Sequence, residues 1–309
     1  MSSQAIVSPG RSGAVSAPMF LLIAVFVLIW TSAFSVAKLA IADCPPLLLL
    51  STRFLVAGAL MLGVAAVGRA SWTLKRRDVL MFALLGIANQ AIYLGVGYVG
   101  LLSISSGLSV LIFSCNPIIT AVLAAFVLDE RLTRGKIVGL VLGIAGVAFI
   151  VESRLSAGTD HLQGIVLTVI ATISFVGGTI VFKRYAPKDG LWIGNGIQSL
   201  AAGIALLPFS LAFESVGDIV PSWRLLEAFA FLVLIVSVVA YLLWFKILTV
   251  LGATAASSYY FLMPPVGMLM GWLLLGERVA FSDLLGIIPV VLGIYLVTRP
   301  SKTDDRRTA

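Results

Sequence analysis

Ten apolar stretches, each close to the ~20 residues that cross a bilayer core, take up nearly the whole chain and leave connections too short for a soluble domain. They run over 18–42, 46–68, 79–99, 103–128, 136–151, 162–182, 191–213, 225–248, 253–275 and 281–298. A backbone in lipid must satisfy its own N–H and C=O groups, so continuous apolar runs of this length read as α-helices. The fifth, 136–151, is short, and spans only with tight glycine packing or local thinning of the bilayer. The chain is 60% hydrophobic and 11% charged, against ~45–50% and ~25% for soluble domains. The fold class is therefore an all-α polytopic membrane protein with ten transmembrane helices. The first run outlasts the 7–15 residues of a signal-peptide core and reads as a retained helix behind a Ser-, Gly- and Pro-rich segment, 1–17, expected to be disordered.

The net charge of +7 would suit nucleic acid if Lys and Arg shared one face. Instead they sit between apolar runs, which indicates membrane orientation and excludes nucleic acid as a partner. Sixteen fall on one side, in the N-terminal segment, the connections after the second, fourth, sixth and eighth runs, and the tail, and only Arg154, Arg224 and Arg278 on the other. Positively charged connections stay cytoplasmic, so both termini are expected in the cytoplasm of a multi-pass protein of the cell membrane, the inner membrane in a bacterium. Lys38 and Arg53 remain within or at the edge of spanning segments. Cys44 and Cys115 are too few for a disulfide framework and read as packing residues.

The chain also repeats itself. Residues 105–132 and 252–279 align at a constant offset of 147, matching Pro117 with Pro264, Glu130 with Glu277 and Arg131 with Arg278. Each copy reads as an apolar helix with a Pro near its middle and Glu-Arg at its end. The expected halves are 18–151 and 162–298, followed by a cytoplasmic tail, 299–309. Five segments per half is an odd number, so the second half enters the membrane inverted. Inverted repeats are a common build of secondary transporters, with the solute site where the halves meet.

The stretches GLSVLIFSCNPIITAVLAAFVLDERLTRGKIVGLVLGIAGV and ATAASSYYFLMPPVGMLMGWLLLGERVAFSDLLGIIPVVLGI each run from small residues through Pro and Glu-Arg to a Gly-rich final helix. With the weaker match of Trp30…Lys38 to Phe175…Lys183, they make the chain resemble the EamA family of the drug/metabolite transporter superfamily, over residues 30–298. Within that family it looks like the branch that exports amino acids, including aromatic ones. The resemblance implies a basket in which the first four helices of each half surround a central cavity while the fifth and tenth pack outside. Arg53 departs from the twofold pattern, having no basic counterpart near Gln198.

Polar groups inside a bilayer are costly unless they face protein, water or ligand, so those within spans are candidate lining residues. Trp30, Phe34 and Lys38 recur every four residues on the first helix. Gln90, Tyr93 and Gly97 share a face of the third, beside Asn89, and Ser109, Phe113 and Asn116 lead to Pro117. The second half offers Thr168, Thr172 and Phe175, then Asn195 and Gln198, Tyr241 and Phe245, and Ser257, Tyr260 and Pro264. Converging aromatic and amide groups suit a small zwitterion with an apolar side chain. The alternative for each is hydroxyls bonded to the preceding turn and aromatics at lipid or interfaces. Pro117 and Pro264 are hinge candidates, or static kinks. Gly135, Gly139 and Gly143 allow close helix contact, within the protein or at a dimer face. The Glu-Arg pairs either fix loops or gate.

No Asp or Glu lies deep in any run, and the single histidine, His161, is in a connection. That disfavours coupling to protons through a buried carboxylate. The expected function is export of small amino acids and related metabolites by alternating access, facilitated rather than proton-coupled, with the lipid bilayer and a small-molecule solute as partners. No catalytic residue, cofactor or metal is expected. The alternatives are an ion-coupled multidrug or organic-cation exporter, a membrane enzyme, or a non-transporting scaffold.

Overall fold

The computed structural model describes residues 17–68, 74–119, 133–185, 190–241, 243–244, 247 and 259–298. Among these, every regular element is helical. Segment 1–16, tail 299–309, and Glu130, Arg131, Phe245 and Ser257 lie outside the described residues.

The first half contains α1 (Ala17–Ile41), α2 (Pro46–Val67), α3 (Arg76–Gly86), which continues through a π-helical stretch Ile87–Ile92 into α4 (Tyr93–Leu101), α5 (Ser106–Ser114) and α6 (Arg134–Ser156). The second contains α7 (Leu162–Tyr185), α8 (Leu191–Phe213), α9 (Trp223–Ala230), which continues as a π-helix Phe231–Ala240, then α10 (Met263–Leu275) and α11 (Phe281–Thr298). Among the described residues, six runs are long and apolar enough to cross a membrane, 18–41, 46–67, 76–101, 134–156, 191–213 and 223–240. Four described apolar runs are shorter: 106–119, 162–178, 263–275 and 281–296.

The main packing pairs join the halves: α2 with α8, α6 with α11, α4 with α7, α5 with α10, and α1 with the second π-helix. Exchanging the halves maps this set onto itself, which is what a twofold arrangement of two copies requires. End-to-end bonds show the paired helices antiparallel. Glu214, just beyond α8, accepts from Leu47 and Leu48 N–H at the start of α2, at 2.9 and 2.7 Å. Glu277, just beyond α10, accepts from Ser106 and Gly107 N–H at the start of α5, at 2.7 and 3.1 Å. Each carboxylate satisfies N–H groups that a helix start leaves unpaired, where the helix dipole also favours negative charge. Glu277 thus ties one half to the other.

Two expectations change here. The fifth span is not short: α6 has 23 residues and runs past Glu152 and Arg154 to Ser156. Arg154 is tolerated because it is buried and paired, with Nε and Nη2 donating to Asp283 at 3.0 and 2.9 Å and Nη1 to Asp160 at 3.1 Å and Ser105 at 2.8 Å. The two prolines, in turn, begin helical segments. The chain breaks at Cys115, whose carbonyl accepts from both Ile118 and Ile119 N–H, and resumes over 116–119 with Pro117 in its first turn. Pro264 is in the first turn of α10, after a 3₁₀ turn Tyr259–Leu262. Proline has no N–H and its ring clashes with the carbonyl four residues back, so a break forms ahead of it and the first turn accommodates it.

The α6–α11 seam is backbone against backbone. A methyl on Gly293 would lie 2.6 Å from both Gly139 O and Gly143 N, and one on Gly146 2.8 Å from Gly286 O. Gly139 and Gly143 therefore serve an internal seam, while Gly135 has open space around it.

The connections 42–45, 102–105, 157–161, 214–222 and 276–280 are held at one end of the bundle, called here the Asp43 end. Asp43 accepts from Ser222 Oγ at 2.6 Å and Arg224 Nε at 2.8 Å, and from Arg224 Nη2. Bonding to the Arg224 guanidinium and the Ser222 hydroxyl holds its carboxyl down at about 2. A depressed carboxyl pKa contributes stability fully above the unfolded value, ~3.9, and loses it as pH falls through the folded value. Asp43→Asn is therefore expected to melt below wild type at neutral pH, with the gap closing between about pH 4 and pH 2. Paired thermal melts across pH check this.

Candidate functional site

A cavity of about 60 Å³ opens between the halves. The stripe Trp30, Ala33, Phe34 and Ala37 on α1 lines it, the last three lying three, four and seven residues after Trp30 so that all share one helix face. Arg53 enters from α2, Tyr93, Leu94, Gly97, Tyr98 and Leu101 from α4, and Ser109 and Phe113 from α5. The second half supplies Thr168, Ala171 and Thr172 from α7, then Val236 and Tyr241 from the π-helix and the residue after it. Neither α6 nor α11 contributes, as the outer pair of the basket should not. Among the described residues, α8 and α10 add nothing to the lining.

Aromatic rings form its frame. Trp30 meets Tyr241 edge-on with centroids 5.5 Å apart, Phe34 lies 5.6 Å from Phe113, and Phe113 stacks on Tyr93 at 5.5 Å. Phe175 backs this group, 4.8 Å from Tyr93 and 5.3 Å from Phe113, without lining the cavity itself.

The polar groups divide into committed and uncommitted. Thr168 and Thr172 hydroxyls each donate at 2.8 Å to the carbonyl four residues back, which is the ordinary fate of a helical Thr. Ser109 Oγ is buried and has no hydrogen-bond partner among the described residues. Arg53 donates from Nε to Ser237 Oγ at 3.1 Å and from Nη1 to Tyr98 Oη at 2.9 Å.

Behind the wall a polar chain joins the two π-helices. Gln90, in the first, donates to Asn195 Oδ1 at 3.4 Å, and Asn195 donates to the carbonyl of Ser237, in the second, at 3.4 Å. Ser237 Oγ in turn donates to Leu232 O, five residues back, at 3.0 Å. That spacing is the wide turn of a π-helix, which occurs mostly as a local insertion and is frequent at functional sites. The insertions fall in the third and eighth spans, equivalent positions of the two halves, and turn Gln90 and Ser237 toward each other's neighbourhood.

Nine of the residues singled out from sequence thus meet in the cavity: Trp30, Phe34, Tyr93, Gly97, Ser109, Phe113, Thr168, Thr172 and Tyr241. Phe175 and Gln90 stand directly behind it. Gln198 is buried in the α3–α8 seam, where its backbone abuts Gly86. Asn116 is buried at the helix restart beside Pro117. Lys38 belongs to the Asp43 end, where Nζ donates to Ile104 O. The Tyr260 side chain lies outside the described atoms. Tyr98, Ala37, Leu101 and Val236 were not singled out; an Arg53 in an apolar helix demands partners, and that was the signal for Tyr98.

The model of the EamA-like transporter family matches residues 17–152 and again 162–299. A Chlamydia muridarum protein named "S-adenosylmethionine/S-adenosylhomocysteine transporter" is 28% identical over 87% of this chain and 88% of its own length. A Salmonella typhimurium protein named "Probable amino-acid metabolite efflux pump" is 27% identical over 87% of this chain and 91% of its own. A solved crystal structure at 18% identity superposes with a TM-score of 0.67 over 94% of this chain and 99% of the other, a likeness of fold.

Proposed function

The chain belongs to the EamA-like transporter family, and from that premise we propose that it carries small amino acids and related metabolites, including aromatic or other neutral ones, across the cell membrane. The observation that carries this reading is the cavity between the halves, framed by Trp30, Phe34, Tyr93, Phe113 and Tyr241 and holding a few polar groups. Sites of this kind, mostly apolar with sparse polar groups, fix the orientation of small organic ligands. The name of the Salmonella relative is consistent with it. On this reading ten helices cross the bilayer as halves 18–151 and 162–298, both termini face the cytoplasm, and in a bacterium the membrane is the inner one.

Transport proceeds by alternating access, with the chain bending at the breaks before Pro117 and Pro264. Flux is facilitated rather than proton-driven: the described carboxylates are at helix ends, where Asp43, Asp160, Glu214, Glu277 and Asp283 bond to protein groups.

The test is flux into liposomes holding the purified protein, with a panel of neutral amino acids and organic cations and no pH gradient. Amino acids are expected to move; movement of cations alone, or strict dependence on a pH gradient, refutes the reading. Pro117→Ala and Pro264→Ala are each expected to slow that flux about tenfold, the effect of raising a barrier by ~1.4 kcal/mol. Wild-type rates in both remove the hinges.

A further inference from the structure

Among the described residues, Arg53 is a buried cation without an anion. It is 3% exposed, and its place seven residues beyond the start of α2 puts it ~11 Å inside the helix. The described ion pairs use other bases: Arg154 with Asp160 and Asp283, and Arg224 with Asp43. No carboxylate lines the cavity among the described residues, and the described partners of Arg53 are all neutral: Ser237 Oγ, Tyr98 Oη and the ring of Phe54, 5.3 Å from the guanidinium. A charge within a spanning segment is strongly disfavoured unless it is paired or faces a pathway. A guanidinium has five N–H donors, and the two bonds use one on Nε and one on Nη1. Both donors of Nη2 remain without a hydrogen bond among the described residues. The group is therefore fixed in orientation by three neutral partners while part of its donor edge is left unused, on a residue that lines the cavity.

We propose that Arg53 is the anion subsite of the cavity and takes a single carboxylate of the carried solute, with Ser109 Oγ as a second polar contact. The proposal rests on the transport reading above and narrows its substrate class. Guanidinium and carboxylate match in planar, forked geometry and form strong charge-assisted bonds. One cation neutralises one negative charge, so a carboxylate fits better than a dianionic phosphate. Lys38, on the first span, does not line the cavity and is engaged at Ile104 O, and Arg154 is committed to Asp160 and Asp283. With no acid among the described lining residues, the ammonium of an amino acid meets ring faces such as Trp30, Tyr93 and Phe113, which attract cations through their quadrupoles. A solute bearing only a positive charge would face Arg53 uncompensated.

The test is binding to the purified full-length protein in detergent, by titration calorimetry, of L-phenylalanine and of L-phenylalaninamide, which differs only in lacking the carboxylate charge. Wild type is expected to bind the acid at least ~10-fold more tightly, since a site built around a charged partner rejects the analogue without it. In Arg53→Gln the two affinities are expected to come within about twofold, while Arg53→Lys, which keeps the charge and loses the fork, retains part of the preference. Equal binding of acid and amide by the wild type overturns the proposal without needing any variant to fold, as does an unchanged preference in Arg53→Gln. If amino acids nonetheless cross the liposome membrane, the transport reading stands alone; if the wild type neither binds nor carries phenylalanine or any other neutral amino acid, both fall.

Discussion

Arg154→Met is expected to cost about 3–5 kcal/mol of stability, the range for removing one partner from a buried charge network. Asp160 and Asp283 side chains are 0% and 1% exposed, so without the guanidinium each is left as a carboxylate in protein with backbone and hydroxyl donors only. Asp283 would keep the Ala280 N–H at 2.9 Å, and Asp160 the Ser105 N–H. The same guanidinium also holds Ser105, the N-cap of α5, at 2.8 Å. Its loss therefore loosens α5, α6 and α11 together, across the junction of the halves. The double variant Arg154→Met, Asp283→Leu is expected to recover part of the loss, because a pair replaced by apolar groups is far less costly than a pair broken. Thermal unfolding of the three proteins in one detergent checks both statements; a double variant no better than the single one would show that packing around Asp283, rather than charge, sets the cost.

That network marks where sequence stops being legible. Glu152 and Arg154 look like the end of an apolar run, because a charge counts against a span and nothing nearby in sequence compensates it. The compensation comes from Asp160, six residues on, and Asp283, in the other half. The repeat, by contrast, is fully local information: a constant offset and an odd number of segments imply two antiparallel copies, and the pairing of α2 with α8 and α6 with α11 follows. Helical spacing identifies which faces could converge, as for Trp30 and Phe34, but a single stripe cannot say how far toward the helix end the cavity reaches, so Lys38 belongs to the Asp43 end instead. The π-helices leave no composition signal, yet they set the register of every later residue in their spans. That is why Gln90 turns behind the wall while Tyr98 enters it, although Gln90 and Tyr93 share a face on an ideal α-helix. Gln198 has the composition of a ligand group, but the glycine opposite it, Gly86, brings two backbones together there.

Gly97→Leu is expected to reduce solute flux tenfold or more while leaving the fold intact. Gly97 lines the cavity, and a methyl built on it meets only Ala171 Cβ, at an ordinary 3.6 Å. The remaining side-chain atoms then extend into the cavity, where a solute would bind. Because the Cβ makes only ordinary contact, the overpacking penalty is expected to stay at the low end of the usual ~1–3 kcal/mol, and replacing a helical Gly gains up to about 1 kcal/mol of propensity. The melting temperature should therefore hold as flux falls, a combination that general damage does not produce. Gly63→Leu is the matched control: that position lies on α2 with open space around it and outside the lining, so it gains the same propensity without entering the cavity, and its flux should equal wild type. Liposome flux and thermal melts of the two variants decide the matter. If Gly97→Leu carries amino acids at the wild-type rate, the solute path does not run through this cavity.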